Sequence, residues 1–229
     1  MHPLDNVIWQ ALTGRQSEFA EGSGSARRFL RDVTSLAAFE FSDERGYESL
    51  GNLVGRGGTA AVFLDEPYQQ RSGWEVAGGA PLAQMVFANG APPATPVHND
   101  RAQIVELGPK DIPEMLELTA LTKPGPFGKR THELGYYIGI RQNGKLVAMA
   151  GERMKTPGHT EVSAVCTHPD YLGRGYAALL MREIMRGIRE RGETPFLHLR
   201  ADNARAMSLY EHLGFRIRKQ GHYVILRKV

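Results

Sequence analysis

The turn at residues 168–177, HPDYLGRGYA, combines a proline, two glycines and an arginine immediately before a long run of apolar and basic residues. A glycine-rich turn that opens a helix is well suited to bind phosphate. The first backbone N–H groups of a helix have no acceptor within it and lie at the positive end of its dipole. Glycine also lets the backbone approach a ligand closely. The turn therefore predicts a phosphate site at Gly173 and Gly175.

Two common phosphate-binding motifs do not fit this turn. The dinucleotide-binding pattern Gly-x-Gly-x-x-Gly is absent, because Gly175 is followed by Tyr-Ala-Ala. The Gly-Lys-Ser/Thr end of a P-loop is absent as well. The pattern therefore disfavours a nicotinamide dinucleotide or a P-loop nucleotide as the ligand.

The residues around the turn alternate between strand and helix patterns. An Asn143-Gly144 pair between two apolar runs predicts a hairpin, and apolar residues at steps of three and four predict helices. The predicted strands are 104–107, 136–140, 146–150, 161–167, 196–200 and 223–226. The predicted helices are 109–121, 175–191 and 204–213. The sum is an α/β fold with a mixed sheet, in which a strand, the glycine turn and a helix follow each other.

A proline-rich segment divides the chain. Residues 89–101, NGAPPATPVHNDR, contain three prolines and no apolar periodicity, which is typical of a linker. We predict a domain at residues 1–99 and a second at 100–229. Helices at 5–12 and 24–30 and strands at 60–64 and 82–87 make the first part a small α/β domain without a chemical motif.

Composition excludes several classes of protein. The chain has 229 residues, 41% of them hydrophobic, and no apolar run approaches the roughly 20 residues that span a bilayer. Its net charge of +3 comes from scattered basic residues rather than a basic stripe with interleaved aromatics, so we expect no nucleic-acid partner. No secretory signal is recognisable, which predicts a cytoplasmic protein. A single cysteine, Cys166, excludes an intrachain disulfide, and no His and carboxylate grouping has metal-ligand spacing.

Two segments together resemble GNAT-superfamily N-acetyltransferases. That family holds the pyrophosphate of acetyl-CoA with Arg or Gln, two residues, Gly, one residue, and Gly or Ala; here Gly175 and Ala177 match, and Leu172 replaces the Arg or Gln. The later stretch from Asn203 through Tyr210 to Gly-Phe at 214–215 is similar to the family's second motif. The likeness covers about residues 102–229, and some family members carry a degenerate second copy of the fold before it.

The resemblance implies acetyl transfer from acetyl-CoA to an amine, with no metal. A backbone N–H near Val165 would face the thioester oxygen, and Tyr210 would protonate the leaving thiolate. The implied cofactor-binding residues are Val165, Cys166, Thr167, Leu172, Gly173, Arg174, Gly175, Tyr176, Ala177, Asn203 and Tyr210.

The sequence leaves open which residue is the general base and which amine is the acceptor. Glu161 and Glu152 are the candidate bases, and His159, His168 and His198 are less favoured. The acceptor, a small-molecule or peptide amine, would bind near the loop 123–133, the hairpin edge and the N-terminal part. A CoA-binding regulatory module without strong catalysis is the alternative function. The protein would be a monomer or a homodimer.

Overall fold

The computed structural model describes residues 2–88 and 103–229, which fold into helices and strands with short connections. The helices are α1 (Val7–Leu12), α2 (Glu44–Val54), α3 (Ile112–Thr122), α4 (Tyr176–Glu190) and α5 (Ala204–His212). The strands are β1 (Ala20–Glu21), β2 (Ala26–Phe29), β3 (Ala37–Phe39), β4 (Thr59–Leu64), β5 (Trp74–Phe87), β6 (Ile104–Glu106), β7 (Tyr137–Gln142), β8 (Lys145–Thr156), β9 (His159–Thr167), β10 (Thr194–Arg200) and β11 (Phe215–Lys228). None of the helices in these two ranges is long and apolar enough to span a bilayer.

The strands form one large mixed sheet and one small sheet. The eight-stranded sheet has the order β4-β11-β5-β10-β9-β8-β7-β6, and the three-stranded sheet has the order β1-β2-β3. In the large sheet β9 and β10 pair in parallel, and the other neighbours pair antiparallel. The prediction of an α/β fold with a mixed sheet is confirmed.

Strands from both predicted parts of the chain share the large sheet. β5 lies between β10 and β11 and pairs with both, and β4 pairs with the far side of β11. The predicted boundary between residues 99 and 100 lies outside the described residues. That the first part is a degenerate copy of the same fold remains a prediction.

Both faces of the large sheet are covered, by different segments of the chain. Apolar residues of α4, including Leu180 and Ile184, pack with Leu197 and Phe215 on one face. Leu4 and residues of α1 pack with Phe196 on the other face. Because successive side chains of a strand point to opposite faces, β10 is buried on both sides.

Two local predictions for the first part of the chain differ from the structure. Residues 24–30, predicted as a helix, contain the strand β2, which pairs antiparallel with β1 and β3. This pairing buries Ala26 and Phe29, so tertiary contacts override the weak helical pattern. The helix α2 was not predicted, although Asp43 is its N-cap and accepts a hydrogen bond from the Gly46 N–H at 2.8 Å.

Candidate active site

A cleft opens where β9 and β10 diverge. These strands pair at three positions, ending with Phe196 opposite Glu161. Beyond this point residues 165–167 of β9 and residues 199–200 of β10 line a cleft of about 590 Å³. The starts of α4 and α5 close it on one side, and Lys123 and Pro124 line it after the end of α3. We call this space the donor cleft.

A bulge in β9 lies beside the donor cleft. Cys166 is opposite Met149 and Ser163 is opposite Gly151, so two residues of β9, Ala164 and Val165, face one residue of β8. Ala164 has φ 53°, a left-handed conformation that is uncommon for residues other than glycine. A bulge takes one residue out of the ladder of hydrogen bonds and redirects the strand. Sequence reasoning missed it, because an alanine gives no signal for a positive φ.

The glycine turn forms one end of the donor cleft. Gly173 and Gly175 have φ 78° and 76°, and a Cβ atom added at either position would meet no atom within 4 Å. Gly175 is the N-cap of α4 and supplies no capping side chain. The N–H groups at Tyr176 and Ala177 therefore begin the helix without an intrahelical acceptor. This geometry fits a phosphate group, as the turn predicts, and the resemblance implies that this group is the pyrophosphate of acetyl-CoA.

The β9 side of the donor cleft offers one unsatisfied polar atom. The Thr167 hydroxyl oxygen is buried and has no hydrogen-bond partner in the part of the chain that the structure describes. Burying a hydroxyl group without a hydrogen bond costs folding free energy unless a ligand or water bonds to it. The position of Thr167 therefore fits a polar cofactor arm that lies along β9. Cys166 is 6% exposed, and burial raises the pKa of its thiol to about 11. The thiol is therefore neutral near pH 7 and does not act as a nucleophile.

Tyr210 and Asn203 reach the donor cleft from α5. Tyr210 lines the cleft and is 9% exposed, and burial raises its pKa to about 12. The phenol is therefore protonated at any ordinary pH and is available as a donor. Asn203 is the N-cap of α5, and its side-chain oxygen accepts from the Ala206 N–H at 3.1 Å. Asn203 also lines the donor cleft.

The two candidate bases do not line the donor cleft. Glu161 is fully buried and accepts two hydrogen bonds of 2.8 Å from Arg153 and one of 2.7 Å from His198 Nδ1. Burial alone would raise the pKa of Glu161, but Arg153 and His198 outweigh it and hold the pKa well below its usual range. Such a carboxylate is a weak base.

Glu152 is held in the same manner. Its side chain is 3% exposed and pairs with Arg191 at 2.5 Å and with Lys155 at 3.2 Å. Neither glutamate is among the residues that line the donor cleft. That either of them acts as the base remains a prediction.

The structure thus brings all of the predicted cofactor residues to one cleft. Leu172, at the position of the missing Arg or Gln, is 46% exposed. The residues that line the donor cleft are Val165, Cys166, Thr167, Leu172, Gly173, Arg174, Gly175, Tyr176, Ala177, Asn203 and Tyr210. His198, Arg200 and Arg205 line it too, and the glycine motif gave no signal for them.

Part of the loop predicted to hold the acceptor is hydrogen-bonded to the N-terminal part, and its role in acceptor binding remains a prediction. Arg130 N donates to the Asp32 carbonyl at 2.9 Å, and the Thr131 hydroxyl donates to the Val33 carbonyl. Phe127 packs edge-on against Tyr137 with ring centres 5.9 Å apart.

In residues 2–88 and 103–229, no three His, Cys, Asp or Glu side chains come together as a metal site.

Comparison with known proteins agrees with this geometry. The model of the FR47-like protein family matches residues 137–224. Over its whole length the chain is similar to a solved GNAT-family protein from Novosphingobium aromaticivorans, with 40% identity, a TM-score of 0.89 and complete coverage of both chains. The fold is therefore that of a GNAT-family protein. The chain belongs to the GNAT family of acetyltransferases.

More distant relatives match parts of the chain or the fold alone. N-alpha-acetyltransferase RimI from Mycobacterium tuberculosis is 37% identical over 83 residues, which are 35% of this chain and 51% of that protein. The ribosomal protein bS18-alanine N-acetyltransferase of Escherichia coli is 35% identical over 77 residues, 33% of this chain and 51% of that enzyme. The matched segment thus spans about half the length of these relatives. A GCN5-related N-acetyltransferase from Kribbella flavida shares the fold at 17% identity, with a TM-score of 0.63 and coverage of 97% and 93% of the two chains.

Proposed function

We propose that the protein transfers an acetyl group from acetyl-CoA to a primary amine. One observation carries the proposal: the glycine turn at the start of α4 and the Tyr210 side chain line the same cleft, where β9 and β10 diverge. The turn supplies an anion site, and the tyrosine supplies a proton donor within the same space. GNAT acetyltransferases use acetyl-CoA as their cosubstrate, and the residues present fit it.

Separate parts of the donor cleft would hold separate parts of acetyl-CoA. The N–H groups at the start of α4 would bind the pyrophosphate, and the cationic side chains along the cleft would attract its charge. The Thr167 hydroxyl would bond to the polar pantetheine arm. A backbone N–H at the bulge of Ala164 and Val165 would donate to the thioester oxygen and so polarise the carbonyl.

The transfer itself exchanges one bond for another. The neutral amine nitrogen forms a bond to the carbonyl carbon, and the carbon–sulfur bond breaks. The sulfur leaves as a thiolate and receives one proton, while the attacking nitrogen loses one. An acceptor that arrives as an ammonium ion releases a further proton to solvent before it attacks. The sum is an amide, free CoA thiol and one proton.

Tyr210 is suited to the proton donation in this step. Its raised pKa keeps the O–H intact before the reaction, and the leaving sulfur is the group in the cleft that gains negative charge. A donor at that point stabilises the transition state more than the bound substrate, which is the condition for raising kcat.

The acceptor is a primary amine, and two kinds fit the proposal. The names of the RimI enzyme and the bS18-alanine enzyme specify α-amino groups for those proteins, so a peptide N-terminus is one candidate here. A small-molecule amine is the other.

A single substitution tests the proposal. Tyr210→Phe removes the O–H and keeps the ring, so we expect kcat for acetylation of an accepted amine to fall about 100-fold, the size of a lost general acid. The Kd for acetyl-CoA should stay within about twofold, because the anion site is intact. Tyr223→Phe, on β11 and outside the donor cleft, is the matched control. Unchanged kcat in Tyr210→Phe would refute the donor role, and acetyl-CoA binding without transfer to any amine in a broad panel would favour a regulatory CoA-binding module.

A further inference from the structure

A second cleft is built mainly by the N-terminal part of the chain. It has a volume of about 470 Å³ and lies between the start of α1, the end of β3, the segment after β4 and the middle of β11. We call it the acceptor cleft. Its lining residues come from positions as far apart as Asp5 and Gly221.

The two clefts meet at His198. In the described part of the chain, this is the one residue that lines both. Its side chain is 4% exposed and is fixed on two sides: Nδ1 lies 2.7 Å from Glu161, and Nε2 lies 3.1 Å from the Gln84 amide nitrogen. The Phe63 ring packs on the imidazole with ring centres 4.7 Å apart. The junction between the clefts is therefore held rigidly.

The clefts carry opposite charge. Four cations line the donor cleft, which suits an anionic cosubstrate: Lys123, Arg174, Arg200 and Arg205. Four carboxylates and two cations line the acceptor cleft: Asp5, Glu40, Asp65, Glu66, Arg71 and Lys219. A cationic amine is thus repelled by the first cleft and attracted by the second.

Two of these carboxylates are available to a ligand. Asp5 pairs with Arg218 at 2.5 Å, and Asp65 pairs with Lys219 at 2.6 Å. Glu40 and Glu66 are exposed at the rim, and neither forms an ion pair with another described residue. They offer charge to an incoming ammonium group.

The wall of the acceptor cleft is aromatic. Phe39 and Tyr47 have ring centres 4.8 Å apart, and Tyr68 lies next to Tyr47 at 6.3 Å. Phe41 is 58% exposed at the mouth. The Arg71 guanidinium lies 4.3 Å from the centre of the Tyr47 ring, which shows that this wall already stabilises a cation.

We infer that the acceptor amine enters from this side, through the acceptor cleft, and reaches the thioester past His198. This inference rests on the proposed function and names its substrate class. The acceptor carries its amino group beside an aromatic or large apolar body and has no carboxylate near the amine. The body packs against Phe41 and Tyr68 at the mouth, and Glu40 and Glu66 attract the ammonium group as it enters, before the amine passes His198.

The test measures amine binding to the full chain loaded with CoA, which has no acetyl group to transfer. Phenylalaninamide and phenylalanine share the ring and the amino group and differ in the carboxylate, so they form a matched pair of probes. By calorimetric titration we expect the amide to bind about tenfold more tightly than the free acid, and less tightly in high salt. Glu40→Lys and Glu66→Lys should each weaken amide binding at least fivefold. Phe41→Ser should weaken both probes.

A control variant tests whether the effect is specific to the acceptor cleft. Glu18→Lys reverses an exposed carboxylate outside both clefts and should leave amide binding unchanged. Equal binding of the two probes, no binding of the amide, or wild-type binding in both glutamate variants would overturn the inference. Acetyl-CoA binding and acetylation of other amines are measured separately, so failure here is distinguishable from failure of the proposed function.

Discussion

The buried ion pair between Arg153 and Glu161 allows a quantitative test of how the fold holds the Glu161 carboxylate. The two side chains are 7% and 0% exposed and share two hydrogen bonds of 2.8 Å. Arg153→Met leaves the carboxylate buried with His198 as its remaining side-chain partner. Removing one member of such a pair destabilises a protein by about 3–5 kcal/mol, and we expect a loss of this size in the free energy of unfolding at pH 7.

A double substitution separates the ion pair from general damage. Arg153→Met combined with Glu161→Met removes both charges and keeps the volume, so the core no longer holds an isolated ion. We expect the free energy of unfolding of the double variant to be about 1–2 kcal/mol lower than that of the wild type, because the His198 Nδ1–H loses its acceptor. The double variant is then more stable than Arg153→Met alone. Urea unfolding of the wild type, Arg153→Met, Glu161→Met and the double variant gives the coupling energy.

The same pair predicts a pH dependence. The pKa of Glu161 is lowered on folding from its ordinary value of 4.5, so its ionised form stabilises the fold. This contribution is complete above about pH 4.5 and is lost as the pH falls towards the folded-state pKa. The difference in stability between wild type and Arg153→Met should therefore shrink below pH 4.5. Additive effects of the two substitutions, or a change under about 1 kcal/mol for Arg153→Met, would refute the account of this pair.

Two further predictions concern Cys166, which lines the donor cleft, and the packing of Gly151 on β8. Cys166 should react with a disulfide reagent at least about 100-fold more slowly in the native protein at pH 7.5 than in urea. The reason is that its raised pKa leaves little thiolate in the native protein. Equal rates in the two states would show an exposed thiol. Gly151→Ala should destabilise the chain by about 1–3 kcal/mol, because a Cβ there would lie 2.2 Å from the Tyr137 ring. Unchanged urea unfolding in that variant would contradict the packing. Gly108→Ala is its control, because Gly108 has φ −134° and a Cβ there meets open space.

Local signals explain why the donor cleft was predictable from the sequence. The glycine turn, the Asn143-Gly144 hairpin and the Asn203 cap each depend on residues a few positions apart. The local conformation that each of these segments adopts is the same wherever the segment lies in the fold. The predicted cofactor residues therefore gather in one place once β9 and α4 form.

Long-range pairing explains what the sequence did not show. The ion pair of Glu161 with Arg153 requires β8 and β9 to lie side by side, and the bond to His198 adds β10. Glu161 appeared as a strand-end carboxylate in the sequence, whereas the fold buries it completely. The acceptor cleft likewise depends on β5 inserting between β10 and β11, which no local pattern indicates.

Titration of the protein with acetyl-CoA is the most direct test of the central claim. Gly175→Val places a side chain in the phosphate site, and Gly144→Val is the matched control, since Gly144 also has a positive φ and open space around its Cβ position. We predict that the wild type and Gly144→Val bind acetyl-CoA and that Gly175→Val does not. No binding by the wild type, or equal binding by Gly175→Val, would contradict the assignment of the donor cleft.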